Sequence, residues 1–470
     1  MSHFKLSIIF ISILTLSINY EFPIEKIAIL DGLIQQQINL TKVKTVGFVI
    51  ANESGPFFTK IYGETDKVTT KSPFILGSVS KSFTALGILH LDISINKTID
   101  EFGLDDYIDK EMAKDITISD LLHHISGLDS FSNKRITQKG KFSYSNYGYA
   151  LLGKIIEKQS GKSYADYMKD KIFDQIGMKN AQAKYHSDII DSYNNFLGSV
   201  TKYGGLKSEI GDGFYLPAGF ISASMEDMGK YLHFYLKPEN EKYVSQMTKG
   251  RNVIVGYKVE YGMGVVIRYT NNQKSFDHEG DTKTFLTHFF VYPERNLSFF
   301  IAINTRDYLF EKPILDFVNN IENFILNDVV TYTGDPPIFY IHFSIDIVIF
   351  IAILIPFTYL VITIIRKVQR KEYSWLKGVK GIVIFAVEIL LLLLVPSIII
   401  ICFYTADDEL KRKTENTRDY KFGLFTVFST CLLIFLIKLV YMLLFDKYIK
   451  INESSEEKKN NSEMYLMADN

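Results

Sequence analysis

The stretch FILGSVSKSFTALGILHL, residues 74–91, decides how the rest of the chain is interpreted. From Val79 to Leu89 its apolar residues recur every three or four positions, which predicts a helix over 78–91. Ser78 and Lys81 then lie on one helix face near its N-terminus, with a hydroxyl beside an amine. The positive end of the helix dipole favours an oxyanion and disfavours an ammonium, so the lysine could take the serine proton.

The Ser-x-x-Lys pattern alone does not identify a nucleophile. It occurs six times, beginning at Ser2, Ser78, Ser94, Ser199, Ser374 and Ser455. For an arbitrary match, a solvated pair of residues on a helix surface is the simpler interpretation.

A second motif is Tyr144-Ser-Asn146, within FSYSNYGYALLG. A phenol beside an amine could relay a proton to a leaving group, and the amide could hold a substrate carbonyl. Tyr-x-Asn recurs at Tyr193 and Tyr269, so a turn at a strand end explains this motif equally well.

A third motif, His278-Glu-Gly280, occurs once and precedes DTKTF, between two predicted strand regions. Glycine lets a substrate approach the backbone, and the amide of Asp281 could donate to an oxyanion. A lone histidine is more often structural. If this one is functional, its ordinary pKa of about 6.5 predicts an activity that changes between about pH 5.5 and 7.5.

Hydrophobic periodicity outlines a mixed α/β fold. Period-two patterns predict strands, and patterns of period 3.6 predict helices. The predicted strands cover 45–51, 57–62, 262–269, 284–292 and 297–304, and further helices cover 118–125, 147–157 and 314–326. Strands near both ends of this part, around a helical middle, predict one sheet that joins the two termini.

The three motifs and their surroundings resemble the serine β-lactamase and penicillin-binding-protein-like family, on the branch of class C β-lactamases, D-Ala-D-Ala carboxypeptidases and esterases. The resemblance covers roughly residues 25–330. It rests on residues 74–91 and on ITISDLLHHISGL, FSYSNYGYALLGKIIEK, AGFISASMEDMGKYLHFYL, HEGDTKTF and FFIAINT. It implies an α/β sandwich around an antiparallel sheet, joined to an all-helical region, with the site between them and no metal or cofactor.

The resemblance also implies roles for single residues. Ser78 would be the acylated nucleophile, Lys81 its general base, and Tyr144 a proton shuttle. Asn146 and His278 would contact the substrate.

His278 stands where many members of the family have the lysine of Lys-Thr-Gly, which weakens the case for strong β-lactam hydrolysis. Gly280 would keep the substrate-binding strand open, and the amides of Ser78 and Asp281 would form the oxyanion hole. His123 and His124, adjacent on a predicted helix, would point apart, so a shared metal is not expected.

Both ends of the chain carry membrane-related signals. Residues 1–19 hold Lys5 before a 13-residue apolar stretch, which is too short to span a bilayer and is typical of a signal peptide. A retained anchor or a buried helix is the alternative.

The segment TYTGDPP, 331–337, ends the outer domain, 20–337. The membrane region, 338–445, then has three apolar segments long enough to cross a bilayer, at 344–365, 381–404 and 422–445.

The distribution of charge predicts a topology. The loop 366–380 holds six Lys/Arg and one acid, which places it in the cytoplasm. Residues 20–337 would therefore lie outside the cell or in a lumen, and the polar tail, 446–470, would be disordered in the cytoplasm. Glycans could then attach at the sequons of Asn39, Asn52, Asn96 and Asn296.

Composition excludes other classes of protein. The 470 residues are 47% hydrophobic with a formal net charge of −1, which argues against disorder and against nucleic-acid binding. The two cysteines lie in the apolar segments, so residues before 400 have no disulfide or thiolate nucleophile.

The sequence favours a membrane-anchored serine hydrolase acting on a peptide, amide or small ester. The alternative is a non-catalytic ligand-binding or sensor protein coupled to the membrane helices. The oligomeric state stays open.

Overall fold

The computed structural model describes residues 23–330, with gaps at 65, 197–198, 212, 252–253, 257–258, 271–272 and 308–311, and four single positions at 347, 354, 358 and 362. The predicted signal peptide, the predicted cytoplasmic tail and, apart from those four positions, the predicted membrane segments lie outside the described residues. Among the residues described, no helix combines the length and the apolar character needed to cross a membrane.

In the described chain, strands near both ends enclose a mainly helical middle. The helices are α1 (Ile24–Thr41), α2 (Ser80–Leu89), α3 (Lys110–Asp115), α4 (Ile118–Leu122), α5 (Asn146–Ser160), α6 (Tyr164–Met168), α7 (Asp174–Ile176), α8 (Leu206–Ile210), α9 (Leu216–Gly219), α10 (Met225–Leu236), α11 (Glu241–Met247) and α12 (Lys312–Asn327). The strands are β1 (Thr45–Asn52), β2 (Gly55–Gly63), β3 (Phe74–Ile75), β4 (Tyr193–Phe196), β5 (Ser199–Lys202), β6 (Ser222–Ala223), β7 (Ile254–Gly256), β8 (Val259–Tyr261), β9 (Val266–Thr270), β10 (Gln273–Asp281), β11 (Leu286–Tyr292), β12 (Leu297–Ile303) and β13 (Thr305–Arg306).

The first of two compact units holds the chain up to Gln36, Thr45–Asp191 and Gly204–Asn304. Its main sheet is antiparallel, in the order β2-β1-β12-β11-β10-β9-β8-β7. Strands β1 and β12 are apolar on both faces and almost wholly buried, as expected of central strands. Helix α10 packs against β1, β2 and β12.

Helix α2 occupies the middle of this unit. Its residues from Ser80 to Ile88 are all buried, because α5 and α9 pack against it. A single 3₁₀ turn, Gly77–Val79, precedes α2 and contacts β10, β11 and α9. The start of the predicted nucleophile helix therefore lies between the sheet and the helical region, where the resemblance expects the site.

The second unit holds Gln37–Lys44, Ser192–Tyr203 and the described chain from Thr305 onward. Within it, β4 pairs antiparallel with β5 and parallel with β13. Helix α12 covers the segment that its period of 3.6 predicts, and Ile314, Phe317 and Ile321 on its apolar side are buried.

The expectation of an α/β fold with an antiparallel sheet is confirmed. Two local predictions were wrong. The strand predicted over 262–269 begins at Val266, because Gly264, with a φ of +72°, is part of a turn in which the Gly262 N–H donates to the Val265 carbonyl. Residues 278–280 lie inside β10 and not between strands. Polar residues hide this strand in the sequence, and Asp277 and His278 are buried there because tertiary contacts supply their hydrogen bonds.

Candidate active site

Ser78 sits in the 3₁₀ turn that leads into α2. The preceding Gly77 has a φ of +54°, and a Cβ there would lie 2.6 Å from the Asp281 backbone nitrogen. Only glycine combines that backbone conformation with so close an approach. Ser78 is half-buried, so its hydroxyl remains accessible, and the Asp281 amide lies beside the turn.

Lys81 is fully buried, and its Nζ lies among three oxygen atoms. They are Ser78 Oγ at 3.0 Å, Asn146 Oδ1 at 2.7 Å and the Ala218 carbonyl at 2.6 Å. Burial lowers the pKa of Lys81 well below its ordinary value. A neutral amine donates its two hydrogens to the two carbonyl-type oxygens, which leaves its lone pair for the Ser78 hydroxyl proton.

Tyr144 immediately precedes Ser145, whose hydroxyl caps α5 by accepting from the Gly148 N–H. The Tyr144 ring centroid lies 4.7 Å from Lys81 Nζ. Burial raises the pKa of the Tyr144 phenol, and a hydrogen bond with Ser78 offsets only part of that rise. Tyr144 is therefore a protonated phenol that can donate a proton, and Lys81 is the better base of the two.

His278 is buried in β10, with both ring nitrogens engaged inside the protein. Nδ1 lies 2.6 Å from the Glu279 carbonyl oxygen, so Nδ1 carries the hydrogen. Nε2 then accepts from the Tyr261 hydroxyl at 2.9 Å. Burial is the largest cause that lowers the pKa of His278 to about 3.

Two expectations about His278 change accordingly. The lowered pKa argues against the predicted titration near neutrality, because desolvation favours the neutral ring. In addition, both ring nitrogens have partners within the protein, whereas the resemblance expects His278 to contact the substrate. The ring instead joins β10 to Tyr261 at the end of β8.

Gly280 brings β10 against the backbone before Ser78. A Cβ at this position would stand 1.9 Å from the Leu76 carbonyl oxygen and 2.3 Å from Thr287 Oγ1. Glycine is therefore required at this position for the close packing of β10 against the turn before Ser78. This requirement is more specific than the expected role of keeping the substrate-binding strand open. Asp281 follows at the exposed end of β10.

Sequence reasoning missed three contributors to the site. The Ala218 carbonyl accepts from Lys81, and the Tyr261 hydroxyl binds His278. The His124 ring packs against both Tyr144 and Tyr261. The segment AGFISAS around Ala218 is part of the family resemblance, but nothing in the sequence marks a backbone carbonyl as a partner of the lysine. Tyr261 lies in no recognisable motif.

His123 and His124 do not share the helix predicted for them. Helix α4 ends at Leu122, and His124 has a left-handed φ of +56°. Their rings have separate partners: His123 Nδ1 lies 2.7 Å from the Ser119 carbonyl, and His124 Nδ1 accepts from the Ser145 N–H.

Comparison with known proteins gives consistent results. The Beta-lactamase family model matches residues 30–317. "Penicillin-binding protein 4*" of Bacillus subtilis is 35% identical over 187 residues, which cover 31% of this chain and 40% of the relative. "Protein flp" of Staphylococcus aureus is 25% identical over 320 residues, covering 58% of this chain and 62% of the relative. The chain thus spans less than two thirds of the length of these relatives.

Two solved structures show the same fold. A class C β-lactamase from Rhodobacter sphaeroides is 17% identical, with a TM-score of 0.53. The match covers 63% of this chain and 99% of the β-lactamase chain. The octameric penicillin-binding protein homologue from Pyrococcus abyssi is 22% identical, with a TM-score of 0.52. The match covers 59% of this chain and 73% of the homologue.

Proposed function

The chain belongs to the Beta-lactamase family, and from this premise we propose that it is a serine hydrolase that forms an acyl-enzyme on Ser78. The observation that carries the proposal is the fully buried Lys81, whose pKa is lowered and whose Nζ lies 3.0 Å from Ser78 Oγ. Within the described part of the chain, the partners of Lys81 Nζ are neutral oxygens and not carboxylates, and burying a charged lysine in such surroundings is costly unless the amine is neutral.

The proposed reaction follows from these protonation states. Ser78 Oγ attacks a carbonyl carbon while Lys81 takes the hydroxyl proton. The oxyanion that forms would be held by the backbone amides of Ser78 and Asp281. Tyr144 donates its phenolic proton to the leaving group, and the proton on Lys81 restores the phenol. Water then hydrolyses the ester on Ser78 by the reverse use of the same groups.

The substrates that suit this site are peptides, amides or small esters. Many relatives have a lysine where this chain has His278, which is neutral near pH 7 because burial lowers its pKa to about 3. This position therefore supplies no positive charge for a substrate carboxylate. That favours small esters and uncharged amides over β-lactams, which carry a carboxylate.

A covalent probe tests the nucleophile. The full chain is treated with a fluorescent fluorophosphonate or a fluorescent penicillin, and the label is located by mass spectrometry. Ser78→Ala should lower turnover by about 10³-fold or more and remove the label, and Lys81→Ala should also abolish labelling. Ser94→Ala, at an exposed Ser-x-x-Lys match, is the control and should label normally. Labelling that persists in Ser78→Ala would contradict the assignment, and reversible binding without a label would favour the ligand-binding alternative.

We also propose that three membrane helices anchor the enzyme, with the hydrolase domain outside and the tail in the cytoplasm. The apolar segments and the basic loop 366–380 support this topology. Ile347, Leu354 and Ile362, in the first segment, are helical and exposed, as expected of side chains that face lipid. Protease protection of the tail in sealed vesicles tests the orientation.

Glycosylation of the outer domain is part of the same proposal. Asn39 and Asn96 are exposed, whereas Asn296 accepts the Glu53 N–H through its Oδ1. Asn39 and Asn96 are therefore the sequons best placed for a glycan, and a mass shift on glycosidase treatment tests this.

A further inference from the structure

We propose that His124 is a positioning residue that holds Tyr144 in place for proton donation to the leaving group. This inference rests on the proposed hydrolase function. It gives a role to a residue that lies outside the three sequence motifs.

His124 binds the backbone on both sides of Tyr144. Its carbonyl oxygen accepts from the Ser143 N–H at 2.8 Å, and its Nδ1 accepts from the Ser145 N–H at 3.1 Å. A residue in ordinary helical conformation at this position would direct its carbonyl along the helix. The left-handed φ of +56° instead ends α4 and turns His124 toward residues 143–145. One residue therefore holds the peptide unit between Tyr144 and Ser145 and also the N–H of Ser143, one residue before Tyr144.

The imidazole ring also supports the Tyr144 ring directly. The two ring centroids are 4.3 Å apart, and Tyr149 and Tyr261 pack on the same imidazole at 5.0 and 4.7 Å. His124 is 1% exposed, so this cluster holds the phenol between the helical region and the sheet. On its other side, the Tyr144 ring centroid lies 4.7 Å from Lys81 Nζ.

The protonation state of His124 suits this role. Burial is the largest cause that lowers the pKa of His124 well below its ordinary value. A neutral ring has one nitrogen lone pair, and the Ser145 N–H occupies it at Nδ1. The hydrogen consequently lies on Nε2, which is buried and has no hydrogen-bond partner within the described part of the chain. An unpaired buried N–H is destabilising, and an apolar side chain would avoid it. The acceptor at Nδ1 is what an apolar side chain could not supply.

Proton donation matters in proportion to the basicity of the leaving group. A 4-nitrophenolate leaves without a proton, whereas an alkoxide needs one as the bond breaks. A displaced Tyr144 should therefore slow the cleavage of an ethyl ester strongly and that of a 4-nitrophenyl ester little. General distortion of the site would slow both equally.

The experiment compares His124→Leu with His124→Asn in the full chain. The two side chains have similar size and both lack the ring. Asparagine keeps an acceptor at the δ position and tolerates a left-handed φ, and leucine does neither. The substrates are ethyl butyrate and 4-nitrophenyl butyrate, which share an acyl group, and kcat/KM reports the steps up to acylation. His124→Leu should lower kcat/KM for the ethyl ester by about 10²-fold and leave the 4-nitrophenyl ester within about threefold. His124→Asn should recover most of the loss.

Equal losses on both esters, or equal behaviour of the two variants, would overturn the proposal. If His124→Leu does not fold, His124→Phe, which keeps a ring without an acceptor, replaces it in the comparison. A wild-type chain that cleaves neither ester excludes these butyrate esters as substrates, and the positioning contact is then judged separately. Amide exchange at Ser143 and Ser145 then decides: exchange should be faster in His124→Leu than in His124→Asn, and equal rates would refute the contact.

Discussion

Replacing Gly280 with alanine tests whether β10 must lie directly against the turn that carries Ser78. The added Cβ would stand 1.9 Å from the Leu76 carbonyl oxygen and 2.3 Å from Thr287 Oγ1. The Thr287 hydroxyl donates to that same carbonyl at 2.7 Å, so the two oxygens are held together. Because one of them belongs to the backbone, no side-chain rotation relieves the clash.

The size of the effect follows from the displacement that the extra atom requires. Ordinary contact begins at 3.4 Å, so the strand and the turn would have to separate by about 1.5 Å. Overpacking of this kind costs about 1–3 kcal/mol in the free energy of unfolding. A misplacement of about 1 Å near a reacting group slows a reaction by about 10²-fold. We therefore expect Gly280→Ala to fold with reduced stability and to acylate Ser78 about 10²-fold more slowly.

Two measurements on the same protein check this expectation. The rate of Ser78 labelling by a fluorescent fluorophosphonate reports acylation, and urea unfolding reports stability. Gly204→Ala is the matched control, because a Cβ at position 204 meets nothing within 4 Å. Labelling of Gly280→Ala at the wild-type rate, with unchanged stability, would refute the argument that this close approach is required.

Three further predictions concern charged and titratable groups. Lys81→Met should lower the rate of Ser78 acylation by about 10³-fold or more. Wild-type acylation should also fall as the pH drops through the lowered pKa of Lys81, since the ammonium cannot take a proton. A Lys81→Met variant that labels at the wild-type rate would exclude Lys81 as the base. Burial lowers the pKa of His278 to about 3, so His278 should not titrate between about pH 5.5 and 7.5. The pH profile of kcat/KM in that range should therefore have the same shape in His278→Gln as in the wild type. A wild-type inflection that disappears in the variant would contradict this pKa. Burial alone would raise the pKa of Asp277, but its bonds to His288 and Arg268 outweigh burial and lower it. The stabilisation by Asp277 is therefore complete above the ordinary pKa of about 3.9 and is lost as the pH falls through the lower folded-state pKa. Asp277→Asn should lower the free energy of unfolding by about 1–3 kcal/mol at pH 7 and by progressively less in acid, as urea unfolding would measure.

Local periodicity was sufficient to predict much of the fold. The strand predicted over 45–51 is β1, and the helix predicted over 314–326 is α12, because each repeats its apolar residues at the period of one secondary structure. The spacing of Ser78 and Lys81 likewise placed a hydroxyl beside an amine, since residues three apart in a helix are neighbours whatever surrounds them. Periodicity failed at β10, where buried polar residues replace the apolar alternation.

What the sequence determined by itself is therefore the identity and order of the candidate site residues, together with the elements that carry them. The state of those side chains was decided only by the tertiary structure. Lys81 meets Asn146 and the Ala218 carbonyl, 65 and 137 residues away along the chain, and no local pattern records such contacts. The same burial that lowers the pKa of Lys81 keeps His278 neutral, in place of the titration expected from its ordinary pKa. A pKa depends on desolvation and on neighbouring charges, and both exist only once distant segments have packed together.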